Sequence, residues 1–173
     1  GQSIVKLAAG CLSIPEEEVF NASPGIIGVP LPVDKIEAGV RDAISKLAED
    51  GGEAASVANM TTDTVPKTSA YSFDIGGKTV TVGGMGKGAG MICPNMATML
   101  CFITTDANIS PAVLQKSLNA NVDRSFNSLT VDGDMSTNDS LILLANAASG
   151  CEEIIEGTAA YEAFDKALGA VCL

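Results

Sequence analysis

The sequence predicts an α/β protein of the α+β type, with helices packed on mixed, antiparallel-rich sheets. Three observations lead there. Residues 69–75 alternate, with Tyr71, Phe73 and Ile75 on one face; Gly76-Gly77 makes a two-residue hairpin turn, and 78–82 returns. Helical periodicity recurs elsewhere, with Ile36, Val40, Ile44 and Leu47 in phase, then Val113, Leu114, Leu118 and Val122, then Tyr161, Phe164, Leu168 and Val171. Residues 98–105 form an apolar run that reads as a strand buried on both faces.

The remaining elements follow from caps and breakers. Residues 2–12 read as an amphipathic helix, and Ser13-Ile14-Pro15-Glu16-Glu17 as a cap leading into one helical turn. Residues 19–23 read as a short strand and 24–32 as a Pro/Gly loop. Asp34 is the expected cap of a helix reaching about Leu47, with Gly51-Gly52 as its stop. Residues 53–59 fit a short helix or a strand entry. The glycine-dense stretch 83–90 reads as a loop. Ser110-Pro111 starts a helix, residues 130–138 form a polar loop, 141–148 fit strand or helix, and 158–172 are helical. No internal repeat is visible.

Composition narrows the function. The chain has 173 residues, enough for one domain or two small lobes, with roughly 70% of the unfolded surface buried on folding. Twenty-one acidic residues against ten basic ones leave a net charge of −11, and there is no Trp. Such a surface offers no cationic footprint and few stacking platforms, so no nucleic acid is expected as a partner. The absence of histidine excludes a Ser-His-Asp triad, a Cys-His dyad and His-ligated zinc within this chain. Five widely spaced cysteines, Cys11, Cys93, Cys101, Cys151 and Cys172, with no CxxC, suggest a reducing compartment rather than a disulfide framework. No apolar run approaches the roughly 20 residues of a membrane span, so no membrane partner is expected. The chain opens without a signal-peptide pattern, inside a helix-like run of Ile4, Leu7, Ala8 and Cys11.

Two familiar motifs fail on inspection. A P-loop ending at Gly86-Lys87 needs glycine at Thr81 and Ser or Thr at Gly88, and the glycine-spaced dinucleotide fingerprint meets Ala89 or Met91 in its third place. An EF-hand counted from Asp132 has Thr137 where glycine is required and Leu143 where glutamate is required. The Asp132-Gly133-Asp134 stretch reads instead as a turn whose carboxylates bond nearby backbone N–H groups, or as part of an active-site scaffold. No metal and no cofactor are expected.

The most unusual segment runs from Lys87 through Gly88-Ala89-Gly90-Met91-Ile92-Cys93-Pro94-Asn95-Met96-Ala97-Thr98 to Met99-Leu100. It resembles the processing site of the bifunctional glutamate N-acetyltransferase/ornithine acetyltransferase family, which works in arginine biosynthesis and cleaves itself between such an Ala and Thr. Met60-Thr61-Thr62-Asp63-Thr64 is similar to an upstream motif of that family. The run from Thr130 to Asp134, followed by Ser136-Thr137-Asn138-Asp139, is similar to a further one. The resemblance implies an αββα-like sandwich shared with self-processing aminopeptidases. It implies cleavage between Ala97 and Thr98, with Thr98 as nucleophile and Thr61, Lys87 and Thr98 as substrate-binding residues. On this reading residues 1–97 are the C-terminal part of an α subunit and 98–173 the N-terminal part of a β subunit, together one folded unit. The implied substrates are N-acetylornithine and glutamate, with acetyl-CoA as a further donor. The implied partners are the missing portions of both subunits, in a heterotetramer of two α and two β chains. The implied location is cytoplasmic, or organellar in a eukaryote.

Three departures stand out. The family's Ser-Thr-Gly, whose Thr-Gly pair resembles an oxyanion hole, is Ser23-Pro24-Gly25 here, so Pro24 brings no hydroxyl and no N–H while Gly25 keeps its N–H. The chain is about half the family's usual length, and a substrate-binding Glu and C-terminal binding residues of the family have no counterpart. Cys93 stands where many members have His. A self-processing aminopeptidase or amidohydrolase, or an inactive fragment, remain the alternatives at this level.

The residue types suit the chemistry. A threonine at a new N-terminus carries its own base, because an α-amine with pKa about 7.7–8.0 is partly neutral near pH 7. Ala97 adds little bulk before it. Acyl transfer can then proceed without histidine.

Overall fold

The computed structural model describes residues 1–22, 28–93, 99–134 and 139–173. They fall into two compact units, Gly1–Ala55 and Ser56–Leu173. In the first, helix α1 (Gln2–Leu12) packs against α2 (Val33–Ser45), with a 3₁₀ turn at Glu16–Glu18 between them. Ser13, in the left-handed region at φ 57°, ends α1. The expected cap Asp34 sits instead in the first turn of α2, after Pro32 at the N-cap position. A carboxylate there favours the positive end of the helix without capping it. The helix stops at Ser45, so Leu47 lies past its end and is exposed. The strand expected over 19–23 is a correction: Val19 is extended, at φ −104° and ψ 118°, but 19–22 join no ladder among the described residues. Extended backbone becomes sheet only when a partner accepts its hydrogen bonds. Helix α3 (Gly52–Asn59) decides the 53–59 ambiguity and crosses the boundary between the units.

The second unit is built on a four-stranded mixed sheet in the order β1 (Lys67–Ile75), β2 (Lys78–Lys87), β3 (Leu100–Thr105), β4 (Ser140–Ala145). The first two pairings are antiparallel and β3–β4 is parallel, with α4 (Pro111–Arg124) in the crossover. The β1–β2 hairpin turns at Gly76 and Gly77, whose φ values of 58° and 80° suit glycine at both central positions. The Asp74 carboxylate accepts the Gly77 N–H at 3.0 Å and closes the turn. Helix α5 (Ala159–Cys172), capped by Thr158, lies across β1 and β2 with α4 beside it. Phe164, Ala167 and Leu168 are fully buried against Val80, Val82 and Ile103, and Phe164 meets Phe73 edge-on at 6.4 Å. Each of the larger of these side chains contributes about 1.5–3 kcal/mol by leaving water.

The glycine stretch is the second correction. Residues 83–87 continue β2 rather than forming a loop. A Cβ on Gly84 would stand 3.0 Å from Val171 and 3.2 Å from Ile103, so the bare backbone is what lets α5 lie this close. The mixed, antiparallel-rich sheet with helices on it is the predicted class, and the second unit supplies one helical and one sheet layer of it.

Candidate active site

The motif residues of the second unit gather where β2 ends and β3 and β4 begin. Lys87, the last residue of β2, pairs with Leu100, the first of β3, and Leu100 pairs in turn with Ser140, the first of β4. The ladder therefore sets Lys87 across from the residue two places after Thr98. Thr98 itself lies outside the described residues, as do Ala97, Pro24 and Gly25. Lys87 is 7% exposed, and its ammonium makes no hydrogen bond or ion pair among the described residues. An ammonium with no acceptor among the described residues leaves a place for an anionic group.

Thr61 is tied to the same end of the sheet through Asp63. The Asp63 carboxylate accepts the Thr61 N–H at 3.3 Å, the Lys67 ammonium at 2.6 Å and the Gly88 N–H at 2.9 Å. One buried side chain thus joins the 60–64 motif to the residue after Lys87. Burial by itself would raise the Asp63 pKa. The Lys67 and Gly88 hydrogen bonds, with Thr61 and the Lys67 charge, outweigh it and hold the carboxyl at about 2.

Asp132 and Asp139 supply two more carboxylates. Asp132 accepts the N–H groups of Met91 at 2.6 Å and Ile92 at 3.0 Å, and Asp139 accepts that of Met99 at 2.7 Å. The local turn expected of Asp132 is present as well, in a 3.2 Å bond from Asp134 N–H. The bond from Met91 N–H leads in holding the Asp132 pKa below the usual range.

Two of the buried thiols, Cys101 and Cys172, are poor nucleophiles. Burial pushes Cys101 up to about 12 and Cys172 up to about 11, each helped by a neighbouring charge. Among the described residues no group of three or more Cys, Asp or Glu side chains could hold a metal ion, and no helix is long and apolar enough to cross a membrane.

The sequence reading named Thr61 and Lys87 as candidates, gave Asp132 either a local turn or a place in an active-site scaffold, and gave Asp63 and Asp139 no separate role. A signal for Asp63 was present: it is the single charged residue between Glu53 and Lys67, four places before that lysine. Because its folded pKa lies below its ordinary 3.8, its contribution is complete above about pH 5 and vanishes as pH falls toward 2. At neutral pH Asp63→Asn should therefore lose about 2 kcal/mol. Urea midpoints of both proteins at pH 7, 4 and 2 should show that gap close on acidification. A gap independent of pH would remove the ionic role.

The comparisons with known proteins agree with these motifs. The ArgJ family model matches residues 1–173. The arginine biosynthesis bifunctional protein ArgJ of Symbiobacterium thermophilum is 52% identical over 170 residues, which is 98% of this chain and 42% of that protein. The Lactococcus lactis protein of the same name is 48% identical over 169 residues, 96% and 42% of the two chains. A glutamate N-acetyltransferase of Methanococcus maripaludis is 51% identical over 168 residues, 92% and 41%. A crystal structure of the Bacillus halodurans ArgJ protein shares 43% identity, with a TM-score of 0.49 over 56% of this chain and 50% of that one. The chain spans about two fifths of the length of the curated relatives it matches. With the family model covering it from end to end and these relatives near half identity, the chain belongs to the ArgJ family.

Proposed function

We propose that this chain carries the self-cleavage and acyl-transfer centre of an enzyme that moves an acetyl group from N-acetylornithine to glutamate in arginine biosynthesis. The carrying observation is Lys87, a buried residue with no ion pair among the described residues, at the strand end facing the start of β3, with Thr61 drawn to the same end through Asp63. The names of the relatives, arginine biosynthesis bifunctional protein and glutamate N-acetyltransferase, support the same reading.

On this proposal the Thr98 hydroxyl attacks the Ala97 carbonyl carbon. The C–N bond breaks, the Thr98 amine is released, and water hydrolyses the resulting ester to leave the Ala97 carboxylate. The freed amine then acts as base for the same hydroxyl. Thr98 takes the acetyl group from N-acetylornithine, ornithine departs, and the glutamate α-amine receives the acetyl. Lys87 holds a substrate carboxylate and Thr61 lines the site. Gly25 N–H stabilises the tetrahedral oxyanion, with position 24 contributing nothing as proline. Residues 1–97 then belong to an α subunit and 98–173 to a β subunit, completed by the portions of the relatives that this chain does not span. Two of each would form the heterotetramer, a cytoplasmic enzyme for which acetyl-CoA is a second donor.

The test supplies cleaved protein with N-acetylornithine carrying a labelled acetyl group, and then with glutamate. The label should map to the peptide that begins at Thr98 and leave as N-acetylglutamate. Free labelled acetate with none on glutamate would favour a hydrolase.

A further inference from the structure

One loop grips both sides of the segment that holds the bond before Thr98. Asp132 takes the Met91 and Ile92 N–H groups, and Asp139 takes the Met99 N–H, from partners 40 and 41 positions earlier in the chain. Bonds accepted by main-chain carbonyls reinforce each grip. The Ile92 carbonyl accepts Val131 N–H at 2.9 Å and the Thr130 hydroxyl at 3.3 Å, and the Met99 carbonyl accepts Ser140 N–H at 3.0 Å. Met91 is a non-glycine residue in the left-handed region, at φ 56°. That conformation costs roughly 1–2 kcal/mol, and the shortest of the Asp132 bonds is made at this residue.

A turn that served only itself would need only the bond from Asp134 N–H. The shorter bonds go elsewhere, to the two flanks of residues 93–98. We propose that Asp132 and Asp139 are positioning residues for self-cleavage, anchoring the two ends of the 93–98 stretch so that the Thr98 hydroxyl meets the Ala97 carbonyl. Neither touches the reacting atoms on this assignment. They act through Met91, Ile92 and Met99, and the Met99 anchor stands one residue past the nucleophile. Fixing both ends removes much of the chain freedom that would otherwise separate hydroxyl from carbonyl. The proposal rests on the reading of Thr98 as the processing residue.

The test follows cleavage of the full chain by intact mass, with melting temperature measured for every variant. Asp139→Ala and Asp132→Ala should cleave roughly 10–100-fold more slowly. Asp139→Glu, which keeps the charge but moves the carboxylate by one methylene, should also be slow. Asp139→Asn, which keeps an acceptor oxygen at the same reach, should recover most of the rate. Ile103→Val, a core variant far from the loop in sequence, is the control for lost stability. If Asp139→Ala and Asp139→Glu keep pace with the parent, or lose no more than Ile103→Val at equal melting temperature, the assignment falls and the processing reading stands. An Asp139→Asn variant as slow as Asp139→Ala also overturns it. A parent chain that never cleaves overturns the processing reading, and this assignment with it.

Discussion

Thr98→Ala should leave the chain whole, a single species at the full mass after an incubation that cleaves the parent completely. The argument is chemical. The peptide bond before residue 98 breaks only if an oxygen on that residue attacks the Ala97 carbonyl, and alanine has none. A neighbouring side chain is a poor substitute. There is no histidine in the chain to activate a serine or water, and burial keeps the Cys101 and Cys172 thiols protonated well above neutral pH. Thr98→Ser keeps the hydroxyl and should still cleave. Acetyl transfer should be lost together with cleavage in Thr98→Ala, because on the proposed function nucleophile and base are two groups of that one residue. A fragment that still begins at position 98 in Thr98→Ala would assign the cut to another protease.

The helices of the second unit were legible because their apolar residues recur at helical spacing on faces that are in fact covered. Leu118 and Val122 of α4 and Phe164 and Leu168 of α5 are buried where that spacing puts them. The hairpin was legible because Gly76-Gly77 has one common structural use. The end of β2 was not. Gly83, Gly84 and Gly86 carry no side chains, so alternation has nothing to register, and the reason for Gly84 is Val171 on a helix nearly ninety residues later. β4 was ambiguous for a related reason. Leu141 to Leu144 show no period, and a parallel strand takes its identity from the β3 partner beside it. The site divides the same way. Thr61 and Lys87 stood in motifs that a resemblance could name. Asp63, Asp132 and Asp139 act on backbone N–H groups 25 to 41 residues distant, and a backbone donor has no residue identity for a sequence reader to pair with a carboxylate.

Pro24→Thr should speed cleavage at Ala97–Thr98, and by the same factor acetyl transfer once a complete enzyme is assembled. On the proposed function both reactions pass through a tetrahedral oxyanion, and the resemblance implies a threonine hydroxyl and a glycine N–H at the oxyanion where this chain has Pro24 and Gly25. One such donor is worth on the order of 10²–10³ in rate, about 2.7–4 kcal/mol. The observed gain should fall at or below the lower end of that range. Proline fixes its own φ near −65° and restricts the residue before it, so the substitution also releases a backbone constraint. Pro24→Ala separates the two effects: it restores an N–H and releases the φ constraint but supplies no hydroxyl. If Pro24→Thr cleaves faster and Pro24→Ala does not, the hydroxyl is the missing donor. Equal acceleration of both would assign the gain to the recovered N–H or the freer backbone. Parent rates in both variants would remove position 24 from the oxyanion hole and leave Gly25, or a group outside the motif, to stabilise the charge.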